Sequence, residues 1–360
     1  MAPTPDHDDI SFLERLLDAP GPSGFEVRPA RVWRNEAEGF ADEVRVDVHG
    51  NSHAAVNPEG SPRVMLAGHI DEIGLQVTHI DEKGFLYFAE IGGWDPQVLV
   101  GQRVRILGRD GDVPGVVGKK AIHLMTQEDR EKASRIKDLW VDVGVSSRED
   151  AGALGLRVGD PMVLDQSLLR LAGDRIASRA IDDRIGAYVV LEAARAVARE
   201  GGSAAVTAVA TTQEEIGYSG GGARAAAYSI EPDVALVVDV TFSTDVPDVE
   251  KKEVGEHELG GGPVLSRGSA AHDRVFQMLV TVAEEEGIQH TVQASPRATR
   301  TDADGIFLTR AGVPTGVVSV PNRYMHSPNE IVSVEDLRNT VLLLAAFIRR
   351  LTPDVDFTPR

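Results

Sequence analysis

Glu214 and Glu215 stand side by side in "TTQEEIGYSG", between small apolar residues and a run of glycines. Two ionised carboxylates so close repel each other, so the pair needs a cation nearby or must keep one proton. Other residues offer to share that cation. His69 and Asp71 close "RVMLAGHID", Asp239 closes "DVALVVDV", and His326 follows "GVVSVPNRYM". Asp182 and Asp183 lie where the extended "IASRA" enters a helical pattern. Two histidines and three carboxylates suffice for two divalent ions if Asp182 is shared between them. Two such ions bring four positive charges against three negative ones from Asp182, Glu215 and Asp239, and one hydroxide makes the cluster neutral. Coordination lowers the pKa of a bound water to about 7, so the hydroxide exists at neutral pH and can act as a nucleophile. Glu215 is then expected to face a metal, while Glu214 faces the bridging water and serves as general base, then acid. The glycines of "GYSGG" let the backbone turn tightly beside the site.

These residues can meet only if the chain brings distant segments to one edge. Short β-branched runs, "RVMLAGH", "AAVTAVATTQ", "DVALVVDV" and "GVPTGVVSV", alternate with segments whose apolar residues recur every three or four positions. That alternation predicts an α/β fold with a mostly parallel sheet covered by helices on both faces. The clearest helix runs from about Val334 to Leu351, behind a Ser333–Asp336 cap; others are expected over Ile10 to Leu17, Asp183 to Glu200 and His272 to Glu286. In a parallel sheet the carboxyl ends of the strands share one edge, where ligands bind. Taken singly, each residue has a simpler explanation, since acidic pairs are mostly solvated or cap helices. Their joint position at strand ends, with apolar flanks around Glu214 and Asp239, separates them from that background.

Residues 74–165 read differently. Helical periodicity gives way to short strands with Gly and Asp-Gly turns, "GFLYFAEIGG", "QRVRILGRDGDVPGVVG", "LWVDVGV" and "DPMVLD", with a small helix near Arg148 to Ala153 behind Ser146 and Ser147. This predicts a β-rich insertion within a domain made of 1–73 and 166–360. Of the remaining histidines, His7, His49, His53, His79, His257, His272 and His290 read as structural or solvated. His123 falls in the insertion and reaches the site only if that segment or a neighbouring subunit folds over it.

Composition narrows the chemistry. No cysteine is present, which removes thiolate metal sites and thiol catalysis, so any metal must rest on His and carboxylates. With 56 acidic against 37 basic residues the net charge is −19, which disfavours nucleic acid and anionic membranes as partners. The amino terminus carries acidic residues where a signal peptide needs basic ones, and the longest apolar run, "VLLLAAFI", is far short of the roughly 18 residues of a membrane span. A soluble cytoplasmic protein is expected.

The stretches "AGHIDEIG", "VDVGVSSREDA", "GDPMV", "ASRAIDDRIGA", "TTQEEIGYSGG", "VVDVT", "TDADGIF" and "VPNRYMHSPNE" follow one another over most of the chain. Together the pattern resembles the tetrahedral aminopeptidases, co-catalytic metallopeptidases that include leucyl, glutamyl and lysyl enzymes, some once labelled endoglucanases. The resemblance implies that Asp182 bridges two metals, that His69 and Asp239 complete one site, and that Glu215 and His326 complete the other. It implies Glu214 as general acid/base and Asp71 as the partner that orients His69. It further implies zinc, with cobalt or manganese as alternatives, a β-barrel-like dimerisation domain in the insertion, and a twelve-subunit shell built from dimers. The family's loop before "TDA" is usually glycine-rich, whereas "RATRTDA" carries Arg300 there, so the substrate pocket departs from the pattern. The expected activity is removal of the first residue of short peptides, leaning to neutral aliphatic ones because an acidic interior repels glutamyl substrates. A related two-metal carboxypeptidase or deacylase uses the same ligands, and a silent assembly or glycan-binding subunit has no need of Glu214.

Overall fold

The computed structural model describes residues 10–217 and 221–359. The amino-terminal tail with His7, and Tyr218, Ser219 and Gly220 of the glycine-rich turn, lie outside the described residues.

Four β-branched, apolar segments form the middle of an eight-stranded sheet, in the order Ala205–Thr211, Arg63–His69, Val234–Phe242, Thr315–Asn322, all parallel. The flanks are mixed. Glu43–Val46 and Ser52–Val56 join one side antiparallel, while Val264–Arg267 pairs antiparallel with Thr315–Asn322 and carries the parallel edge strand Thr291–Ala294. The sheet is therefore parallel where the chemistry is expected and antiparallel toward its sides.

Alternation along each strand assigns side chains to opposite faces. Val64 and Leu66 point into one core with the helices Ile181–Glu200 and Val334–Arg349, whereas Met65 and Ala67 point into a second core with Ala223–Ile230 and Ala303–Ile306. Each fully buried aliphatic side chain contributes about 1.5–3 kcal/mol. One approach is closer than any side chain allows: a Cβ on Gly68 would lie 2.4 Å from the Gly186 carbonyl carbon. The strand thus presses directly on the helix Ile181–Glu200, which holds His69 beside Asp182.

The chain leaves this sheet after His69 and closes six strands into a barrel: Gly74–Ile80, Leu86–Ile91, Trp140–Asp142, Gly111–Gly118, Arg103–Gly108 and Pro161–Leu164. Its own core holds Leu75, Val77, Leu86, Val104, Ile106, Val141 and Met162. The short helix Arg148–Ala153 starts at Ser147, whose hydroxyl accepts from Asp150 N at 3.1 Å. On leaving the barrel the chain forms a small antiparallel sheet, Leu169–Arg170, Arg175–Ser178 and Glu330–Ser333, in which Ser178 lies opposite Glu330. Among the described residues no helix is long and apolar enough to cross a membrane.

Candidate metal centre

Strand register puts the first ligands level with one another. Thr211 pairs with His69 and Val237 with Ala67, so two residues further along Asp239 stands beside His69. The strand carrying Asp239 continues to Phe242, three residues beyond the end expected from the sequence, and the extra length forms part of the cavity wall. His326 arrives four residues past the strand Thr315–Asn322.

Asp182 joins the two histidines. Its Oδ1 lies 3.2 Å from His69 Nε2 and its Oδ2 lies 3.2 Å from His326 Nε2. Glu215 Oε2 is 3.3 Å from the same His326 nitrogen. Two overlapping groups result, His69–Asp182–Asp239 and Asp182–Glu215–His326, in each of which the ligand atoms lie within 4.8 Å of one another. His69, Asp182 and Asp239 are only 1%, 7% and 6% exposed. Glu215 Oε1 is buried and has no hydrogen-bond partner among the described residues, an orphan that a cation satisfies. Donor type, spacing and this orphaned oxygen all fit a pair of divalent ions.

Electrostatics point the same way. Burial raises the Glu214 carboxyl to about 10, helped by Asp239 and opposed by His69. Burial also raises Glu215, with Asp182 adding to it, and pushes Asp239 well above the aspartate range. His326 would be lowered by burial, yet contacts with Asp182 and Glu215 carry it up to about 11. Asp182 itself is held far down, because bonds from His326 and His69 outweigh its burial. The site has many carboxylates and only two imidazoles, and it takes up positive charge wherever it can.

Supporting groups fix the orientation of the ligands. His69 Nδ1 lies 3.2 Å from the Asp71 carbonyl and 3.4 Å from Asp71 Oδ1, which leaves Nε2 for the site. Asp71 does more than orient a histidine. Its two oxygens accept from Glu214 N and Glu215 N, each at 3.2 Å, and from Ser23 Oγ, so one carboxylate sets both glutamates and His69. His326 Nδ1 donates to the Gly93 carbonyl at 2.8 Å, a contact from the segment that follows the barrel strand Leu86–Ile91. Tyr324 and His326 both sit at positive φ, 62° and 59°, a conformation that costs energy and persists only where neighbours enforce it.

Three acidic residues that sequence reasoning did not assign belong to this shell. Glu330 accepts from Asp182 N at 2.9 Å and His326 N at 2.8 Å, tying a shared ligand to a terminal one. Asp183 takes the helix-capping role: its Oδ1 accepts from Gly186 N at 3.0 Å and its Oδ2 from His69 N at 3.2 Å. Asp302 is fully buried, accepts from Thr211 Oγ1 and is raised by burial to about 7. For Glu330 the signal was an acid four residues past His326 inside "HSPNE", and for Asp183 its place beside Asp182 at a helix entrance. His123, by contrast, is exposed on the barrel's excursion in the one-turn segment Ile122–Leu124, and within one chain it is not part of the cluster.

The cluster floors a cavity of about 1090 Å³ whose walls include Val240, Phe242, Val317, Met325 and the segment 293–301, the end of the edge strand and the loop after it. Buried donors beneath an open cavity of this size make a site where the end of a short polymer can reach the cluster.

Over most of its length the chain is similar to known peptidases. The family model described as M42 glutamyl aminopeptidase matches residues 50–343. A lysyl aminopeptidase of Pyrococcus furiosus is 38% identical, over 98% of this chain and 99% of its own length. The crystal structure of a TET aminopeptidase from a marine-sediment Thaumarchaeota archaeon superposes with a TM-score of 0.90 at 34% identity, covering 95% of this chain and 96% of that one. The TET1 peptidase of Pyrococcus horikoshii, which can assemble into a tetrahedron or a large octahedral shell, superposes at 0.84 with 29% identity, covering 95% and 99%.

Proposed function

The chain belongs to the M42 glutamyl aminopeptidase family and is a peptidase, and on that premise we propose that it removes the first residue of short peptides with two divalent ions. His69, Asp182 and Asp239 would hold one ion, and Asp182, Glu215 and His326 the other. When bound, such ions make water a nucleophile at neutral pH and polarise the scissile carbonyl. Nitrogen and oxygen donors alone suit zinc, and equally cobalt or manganese.

The chain's own groups do the remaining work. Glu214 Oε2 lies 3.9 Å from His69 Nε2, at the edge of the ligand set without belonging to either group. Its buried carboxyl holds a proton readily, and two neighbouring dications favour the ionised form, so the group can work in either state. Glu214 takes the proton of the attacking water and delivers it to the departing amide nitrogen. Asp71 keeps that carboxylate in reach by holding the Glu214 and Glu215 backbone N–H groups. The acidic floor attracts the free amine of a peptide, which favours cleavage from the amino end over a carboxypeptidase or deacylase reaction. Val240 and Val317 in the inner wall favour a neutral aliphatic first side chain such as leucine, and the surrounding carboxylates disfavour glutamate.

The reading extends to assembly. Residues 1–73 and 166–360 would form the catalytic domain, and the barrel within 74–165 the dimerisation domain. Ile122 and Leu124, 59% and 71% exposed on the barrel's excursion, suit burial against another copy. Six such dimers would give a tetrahedral shell of twelve, kept dissolved in the cytoplasm by a charge of −19 on each chain.

The observation that carries this reading is Asp182, with one oxygen on each imidazole, beside the orphaned Glu215 Oε1. A panel of amino-acid p-nitroanilides tests it. Chelator-treated protein should lose hydrolysis and regain it with zinc, cobalt or manganese, with the leucyl compound cleaved faster than the glutamyl one. Activity that survives complete metal removal contradicts it.

A further inference from the structure

The cavity is polarised. Its floor carries the carboxylates of Glu214, Asp239 and Asp182, whereas its mouth carries three exposed arginines, Arg224, Arg297 and Arg300. Among the described residues none of the three makes an ion pair, although the chain has 56 acidic residues to offer. Elsewhere on the surface Arg15 reaches Glu36 at 2.7 Å and Arg170 reaches Glu14 at 2.6 Å.

The loop that carries Arg300 has an acid of its own, which is turned to another task. Asp304 accepts from Thr299 N at 3.0 Å, Thr299 Oγ1 at 2.8 Å and Arg300 N at 2.9 Å. Its oxygens thus fasten the loop backbone and leave the guanidinium free. Arg300 is held at φ 59°, a conformation that glycine adopts without penalty and arginine does not. A long charged side chain at a position suited to glycine, with Asp304 committed to the loop backbone, points to a role for the side chain itself.

Charge complementarity identifies the occupant. An unblocked short peptide is positive at its amino end and negative at its carboxyl end, and this cavity is negative at the floor and positive at the mouth. Resting on the aminopeptidase reading above, we propose that Arg297 and Arg300, with Arg224 lining the same mouth, bind the C-terminal carboxylate of short peptides. They set a preference for substrates whose far end lies within reach. Planar guanidinium groups suit a carboxylate because they can donate two parallel hydrogen bonds. An acidic side chain on the first residue presents the same chemistry, but it would sit at the acidic floor among the buried Val240 and Val317.

The metal-loaded protein, assayed on leucyl-glycyl-glycine and on the same peptide with its carboxyl end amidated, tests this. Wild type should show a KM about tenfold higher for the amide, the scale of one charge-assisted contact. In the Arg297→Gln, Arg300→Gln double variant the ratio of the two KM values should fall to about one through a rise for the free acid, with Arg300→Lys restoring part of it. Added salt should compress the ratio in wild type. Equal KM values in wild type, or a ratio that the double variant leaves untouched, overturns the proposal. So does a KM that rises for glutamyl p-nitroanilide instead, which would place the guanidinium groups at the first side chain. Light scattering covers the remaining alternative: a changed assembly with an unchanged ratio means that the arginines pair with another subunit, and also overturns it. Failure to cleave any of these peptides would sink the aminopeptidase reading, whereas cleavage of acid and amide alike sinks only the arginine assignment.

Discussion

Two buried charge clusters lie within a few residues of each other, and they solve the same problem in opposite ways. In the first, Glu72 meets Arg184 Nη2 at 2.8 Å and Arg179 on its other oxygen, with all three side chains no more than 3% exposed. Arg179 also donates to the Asp18 carbonyl, and Arg184 to the carbonyls of Leu16, Leu17 and Ile70. One carboxylate is shared by two guanidiniums, and the charge left over rests on backbone carbonyls of the same chain, so the cluster is satisfied from within and fastens the helix Ser11–Asp18 to Ile181–Glu200. In the second, three residues earlier in the chain, His69 opens onto Asp182, Asp239 and Glu214, with Glu215 and His326 completing the ligand set and Asp183, Glu330 and Asp302 behind. This cluster lacks the cations to balance itself. A buried charge matched by its neighbours is structural, and a buried excess of one sign is a place for something brought from outside.

The comparison can be broken at either end. The largest expected effect is Glu214→Gln, which keeps the metals and the assembly yet lowers turnover by about 10²–10⁴-fold, the range of a general acid–base group; an active, metal-loaded variant removes the assigned base. Next comes Glu72→Gln, which strands two buried arginines and should cost about 3–5 kcal/mol in a denaturant titration.

The same glutamate predicts a pH dependence. Burial alone would raise Glu72, but Arg179 and Arg184 outweigh it and hold its folded pKa below 4.5. Its contribution is therefore complete above 4.5 and is lost as pH falls through the lower folded value. Between pH 5 and pH 3 the melting temperature of wild type should consequently drop more steeply than that of Glu72→Gln; parallel curves would contradict the assignment. A smaller effect belongs to Glu330→Gln, which leaves the ligands in place but loosens their support, weakening metal affinity by about 10–100-fold in a competition titration.

What the sequence reveals about the two clusters differs for physical reasons. Residues at strand ends are legible because short, nearly continuous apolar runs mark buried strands and where they stop, and parallel topology brings those ends together. His69, Asp239, Glu214 and Glu215 are of this kind. Asp182 and Asp183 look alike in sequence, and only the backbone path decides that one faces both imidazoles while the other caps a helix. Glu330 reaches Asp182 through the pairing of Arg175–Ser178 with Glu330–Ser333, a long-range register that no local period encodes. Nothing near Arg179 and Arg184 in sequence names Glu72 as their partner, so their pairing is not legible there. The antiparallel strands flanking the sheet are short and partly polar, so their periodicity is too brief to read.

The central claim is that the second cluster is completed by two cations shared through Asp182. Metal content per chain, measured for wild type and Asp182→Asn after equilibration with zinc and removal of free ion, tests it most directly. The account predicts two ions in wild type and loss of both in the variant, with unchanged circular dichroism. Two ions retained by Asp182→Asn, or none bound by wild type, would contradict it.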